Sequence, residues 1–348
     1  MAESVLERLQ KTNPDAEIWW DSSPLIFDSW VKKMVDGTPA GQKKELEAQL
    51  KRLFAWDDMA KSVLRGCTTN PPLSLGAIKE DSPVWEKWVD DQIKANPGIT
   101  LEALWWMTYK EVVKRGAEKL MPIYEASNGR FGWVSGQLDP RLFTEKEKMY
   151  SQADELAALS KNVMIKVPGS QQGVDVVRYL TAKAISTNVT TCFSLPQIMA
   201  VARAAQEGLA DAAKNKTDTS GWRAVITHML GRLTERPIIP EQAAYYKVDW
   251  TEADRKWFGI GVFRRASASG SRSNSACGLR HCTLMALPST HSGRSRSKLL
   301  QPWWARASRG ISRQCAASTR RRFMASPLQS ETPPSNRRGS GSAGPPAV

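Results

Sequence analysis

Short apolar segments rich in Val, Ile, Trp and Thr alternate along the chain with longer segments whose apolar residues recur at spacings of three and four. That alternation predicts parallel strands joined by crossover helices. Six strands are predicted, at 17–21 (EIWWD), 63–68 (VLRGCT), 131–137 (FGWVSGQ), 162–167 (NVMIKV), 184–190 (AISTNVT) and 223–229 (RAVITHM). Helices are predicted at 26–35, 43–53, 102–126, 145–160, 174–183 and 196–213, several opening on a Ser, Thr or Asp cap signal. The stretch between the second and third strands is long and helical, with Trp85, Trp88, Trp105 and Trp106 as packing anchors.

Six βα units fit either a doubly wound open sheet or an eight-stranded barrel lacking two units. The turn after the first strand reads Asp21-Ser22-Ser23-Pro24, and neither G-x-G-x-x-G nor G-x-x-x-x-G-K-S/T is present. Polar residues instead sit near the C-terminal end of every predicted strand: Asp21, Thr68 to Asn70, Gln137, Lys166, Asn188 with Thr190, and Thr227. A barrel site is assembled in this way, because side chains from many strands converge on that face. The predicted fold is an α/β barrel of the (β/α)8 type with its last two βα units missing.

Lys166 is the most informative residue, a lone cation in the apolar run Val163-Met164-Ile165-Lys166-Val167-Pro168. Lysine is rarely buried unpaired, and a solitary one near a strand end would ordinarily snorkel to the rim. Beside the polar strand ends it has a second use. A desolvated amine kept neutral can attack a ketone and form an iminium that accepts the electrons of a breaking carbon–carbon bond. Period-two parity turns Lys166 and Met164 to one face, Asn188 and Thr190 to one face, and Thr227 and Met229 to one face, with His228 directed to the helix layer. For Asp21 the competing role is an N-cap of the helix beginning near residue 26; for Arg232, a solvated loop cation.

Taken in order, Thr68-Thr69-Asn70-Pro71, Ser135-Gly136-Gln137-Leu138-Asp139-Pro140-Arg141, Val163 to Pro168, and Asn188-Val189-Thr190 followed by Phe193-Ser194 make the chain resemble the transaldolases over about residues 16–265. The resemblance implies a class I aldolase barrel of the pentose phosphate pathway type, transferring a dihydroxyacetone unit between sugar phosphates with no metal and no organic cofactor. It implies Lys166 as the Schiff-base residue and Asp21 as the general base. Asn188 and Thr68 would hold substrate hydroxyls, with Thr227 in the same substrate-binding set, and Asn70 would orient the site. Thr190 would position a proton-carrying water, and Arg232 would meet the phosphate. The chain departs from the family where transaldolases carry a water-relaying glutamate. Gln137 stands there, as in the fructose 6-phosphate aldolases of the same superfamily, which makes a lyase the alternative activity. Met229 replaces the expected aromatic residue on the sixth strand. A non-catalytic barrel that binds a sugar phosphate is a further alternative.

Charge changes the picture only at the end of the chain. Residues 264–348 hold 14 Arg and one Lys against a single acid, Glu331, whereas the preceding residues are balanced at 34 basic and 34 acidic side chains. A neutral body gives no reason to expect a nucleic-acid or membrane partner. Trp303-Trp304 beside Arg306 could stack bases, but the stretch has no RGG repeat, no C-x-x-C pair and no amphipathic period. Residues 266–348 therefore read as a disordered extension or as translation in a wrong frame, set apart from a domain at 1–265. The short run 284–287 is the best strand candidate there, and both sheet edges are expected to stay unpaired. The start of the chain has no apolar leader, and only Cys67 and Cys192 of five cysteines lie in the body, so the sequence reads as soluble, untargeted and cytoplasmic. A homo-oligomer is compatible with it.

Overall fold

The computed structural model describes residues 3–13, 16–56, 58, 61–229, 238–251, 253–254 and 282–286. Its strands are β1 (Ile18–Asp21), β2 (Leu64–Thr68), β3 (Trp133–Gln137), β4 (Val163–Pro168), β5 (Thr187–Cys192), β6 (Ala224–His228) and β7 (Cys282–Ala286). They pair in chain order, all parallel. The described helices are α1 (Val5–Thr12), α2 (Phe27–Asp36), α3 (Ala40–Lys51), α4 (Pro71–Glu80), α5 (Ser82–Ala95), α6 (Leu101–Ala126), α7 (Lys146–Ala157), α8 (Gln171–Ala182), α9 (Leu195–Lys214) and α10 (Ile238–Tyr245). Consecutive parallel strands with intervening helices are the winding of a barrel.

The sheet curls, and side chains from distant strands meet inside it. Trp19 of β1, Trp133 of β3, Met164 of β4 and Val225 of β6 form one buried cluster. These are the residues that period-two alternation turns inward, while Cys67, Val134, Ile165, Val167, Val189 and Ile226 pack against the helices. Each large side chain removed from water stabilises the fold by about 1.5–3 kcal/mol. Gly66 gives the inner layer room, since a Cβ there would stand 2.8 Å from the Trp133 carbonyl oxygen and 2.9 Å from the Trp19 ring.

At the floor, Arg223 ahead of β6 reaches Glu17 ahead of β1, with Nη2 2.5 Å from Oε1. Arg223 also donates to the Arg130 carbonyl oxygen, and the Trp19 indole donates to Glu17 at 3.1 Å. This pair links the segment ahead of the first strand to the segment ahead of the sixth.

All six predicted strands and all six predicted helices form, with ends displaced by a few residues. Ala184, at a φ of +56°, turns the chain before β5, which is why that strand begins at Thr187 rather than 184. The long helical stretch divides at Asp81 into α4 and α5 before α6. One expectation is corrected. The edge of β6 is paired, because Cys282–Ala286 lies parallel to it from Ala224↔Cys282 to His228↔Ala286. Ladder hydrogen bonds are made by the backbone, so a short segment without an amphipathic face can still satisfy an edge. Among the described residues no strand pairs with the other edge of β1. The expected change of character at 265/266 lies outside the described residues.

Candidate active site

The inner layer changes from apolar to polar one step above the Trp and Met cluster. Asp21 and Thr68 are register partners at the C-terminal ends of β1 and β2, Gln137 at the end of β3 pairs with Lys166 of β4, and Lys166 pairs with Asn188, the second residue of β5. Lys166 is 7% exposed. Its Nζ donates to the Thr69 carbonyl oxygen at 2.9 Å and to Thr68 Oγ1 at 3.2 Å.

Asn188 is fully buried and orders the layer around that amine. Its Nδ2 donates to Ser135 Oγ at 2.9 Å and, more weakly, to Thr68 Oγ1 at 3.4 Å, while its Oδ1 accepts from Thr227 Oγ1 at 2.8 Å. Thr69 Oγ1 donates to the Ser135 carbonyl oxygen at 2.7 Å. One network thus joins β2, β3, β4, β5 and β6, and it fixes the carboxamide orientation of Asn188. Buried polar groups tied this completely hold a single geometry.

The remaining sequence-predicted residues surround this network. Thr190 is 7% exposed, and its hydroxyl donates to the Met229 sulfur at 3.5 Å. Asn70 caps α4, accepting from the Leu73 N–H at 2.9 Å, which fixes its side chain at the end of β2. Asp21 is exposed at the end of β1. It is not the helix cap, since Ser23 accepts from the Leu25 N–H. Gln137 is half-buried, its backbone N–H donating to Tyr109 Oη at 2.7 Å. Arg232 lies outside the described residues. His228 turns away from the layer as parity requires, with Nε2 3.3 Å from the Phe193 carbonyl oxygen.

Burial pushes the Cys67 thiol well above its ordinary value and Cys192 up to about 12, so neither supplies a thiolate nucleophile.

Residues 48–264 match the sequence model of the family described as Transaldolase/Fructose-6-phosphate aldolase. The chain belongs to this family. Transaldolase 1 of Streptomyces avermitilis is 34% identical over 171 residues, which cover 48% of this chain and 44% of the relative. The transaldolase of Thermobifida fusca is 31% identical over 172 residues, covering 48% and 45%. That of Mycobacterium marinum is 32% identical over 177 residues, covering 50% and 46%. The chain spans about half the length of these curated transaldolases.

Two residues bonded to this candidate site, Ser135 and Tyr109, escaped the sequence reading as site residues. Ser135 shares the inward parity of Gln137, a signal that was available on the strand. Tyr109 lies on a helix among other aromatic residues, where nothing local separates it from packing.

Proposed function

We propose that the chain transfers a dihydroxyacetone unit between sugar phosphates through a Schiff base on Lys166. The observation that carries this reading is a buried amine, held by Thr68 and the Thr69 carbonyl, in the polar layer that Asn188, Ser135 and Thr227 complete. In this scheme the neutral amine adds to the ketone, water leaves, and an iminium forms. Asp21 takes the proton of the substrate hydroxyl beside the scissile bond, the carbon–carbon bond breaks, and its electron pair is accepted by the iminium as an enamine. The aldehyde leaves, and an acceptor aldehyde then adds by the reverse steps. Thr68, Asn188 and Thr227 would hold substrate hydroxyls, Asn70 would orient the mouth, and Arg232 would meet the phosphate. Gln137 and Thr190 would orient the water through which protons pass.

Borohydride reduction in the presence of fructose 6-phosphate, followed by peptide mass mapping, should label the peptide containing Lys166, and Lys166→Ala should abolish the label. Labelling at another lysine, or label persisting in the variant, would remove the mechanism. Gln137 favours a second reading, a lyase that releases the three-carbon unit, because a carboxamide holds a water without taking up its proton. Product analysis with and without erythrose 4-phosphate separates the two: transfer requires the acceptor, and cleavage proceeds without it.

A further inference from the structure

On the edge of β3 that faces β2, the parallel ladder is short. Register pairing covers Gly66↔Trp133 and Cys67↔Val134 and then stops. Beyond it, side chains take over the backbone groups: Thr69 Oγ1 donates to the Ser135 carbonyl oxygen, and the Gln137 N–H donates to Tyr109 Oη. On the opposite edge the backbone still pairs normally, with the Leu138 N–H on the Lys166 carbonyl oxygen at 3.1 Å. The end of β3 is therefore held on one side by a strand and on the other by a phenol from α6.

Tyr109 is well fixed for that purpose. It is 3% exposed, and its ring lies at 7° to Trp105 with centroids 5.9 Å apart and at 26° to Trp106 at 5.6 Å. The Trp106 indole is itself anchored, donating to Glu155 at 2.8 Å. Burial pushes the phenol pKa upward, so the hydroxyl stays protonated over the working range. Gln137, the residue it holds, is the register partner of Lys166 on the neighbouring strand.

We infer that Tyr109 is a positioning residue of the active site, its phenol holding the backbone of Gln137 so that the carboxamide stands at a fixed place beside Lys166. The inference rests on the Schiff-base reading for its catalytic consequence but not for its structural one. A strand end released at this point would let the carboxamide drift by a fraction of an ångström to an ångström, and displacements of that size slow positioned proton transfers.

Tyr109→Phe keeps the ring and removes only the hydroxyl. Exchange of the Gln137 amide proton should accelerate about tenfold, as expected for loss of one hydrogen bond, while the amides of Val134 and Leu138 keep their protection. Turnover should fall about tenfold with KM little changed. Borohydride labelling of Lys166 should persist, and Gln137→Ala should add little to the turnover loss in the Tyr109→Phe background. Unchanged protection of the Gln137 amide, or independent losses that multiply in the double variant, would overturn the inference. Absence of Lys166 labelling in the unmodified chain would instead remove the Schiff-base reading, and the amide exchange would still decide the role of Tyr109.

Discussion

His228 is buried, with Nδ1 lacking a hydrogen-bond partner among the described residues and Nε2 facing the Phe193 carbonyl oxygen, an arrangement that suits a neutral imidazole donating from Nε2. Burial lowers its pKa below the ordinary 6.5, against a smaller opposing effect of the Phe193 carbonyl. The unfolded chain therefore binds the extra proton first, so the contribution to stability is fully present above about pH 6.5 and is lost as pH falls below it. His228→Gln, which does not titrate, should flatten this dependence. Urea midpoints between pH 7.5 and pH 5.5 measure it, and equal slopes in the two proteins would refute it. At this scale the sequence was legible where a residue violated its surroundings. Lys166 stood out as a charge in an apolar strand, and Asn188 and Thr227 as polar residues at strand ends. Ser135 carried only the inward parity of its strand, and Tyr109 violates nothing locally, because their partners lie 53 and 28 residues away and no periodicity encodes such a distance.

At the scale of the elements, α9 does more than cover the sheet. Its capping box pairs Ser194 with Gln197, and the same Gln197 Nε2 donates to the Gly169 carbonyl oxygen at 3.0 Å and to that of Thr191 at 3.2 Å. One helix start thereby ties the loop after β4 to the end of β5, next to Thr190. Thr191 holds a φ of +58°, a left-handed backbone that a threonine keeps only when its surroundings impose it. Ser194→Ala should cost about 1 kcal/mol, the usual worth of a cap, and leave turnover nearly intact. Gln197→Ala should cost more and also slow turnover, since the loop after β4 and the end of β5 lose their tie. Denaturation and steady-state rates compared across the two variants check this; equal effects would mean that the cap alone matters. Elements of this kind were legible because alternation and 3.6-residue periodicity were strong throughout the body. Of β7 only the short run 284–287 was legible, as a strand candidate; its pairing with β6 was not, since that draws on backbone groups that every sequence possesses.

For the whole molecule, Glu17 and Arg223 join the chain ahead of β1 to the chain ahead of β6, with side chains only 8% and 13% exposed. Breaking one partner strands the other in a poorly hydrated place, so Glu17→Gln or Arg223→Met alone should destabilise by roughly 1–3 kcal/mol. The two together should recover part of that loss, because no charge is then left unpaired. Chemical denaturation of the three variants tests it, and strict additivity would show that the pair acts as two separate residues. The same clip has a consequence for how the molecule is made. Its partners are 206 residues apart, and at translation rates of about 5–20 residues per second the ribosome needs roughly 10–40 s to deliver Arg223 after Glu17. Throughout that interval the nascent first strand has no lock at its base, and its Trp19 and Trp20 are in the hands of whatever apolar surface they meet. Slower decoding between the codons for these two residues should therefore lengthen the window in which chaperones are needed.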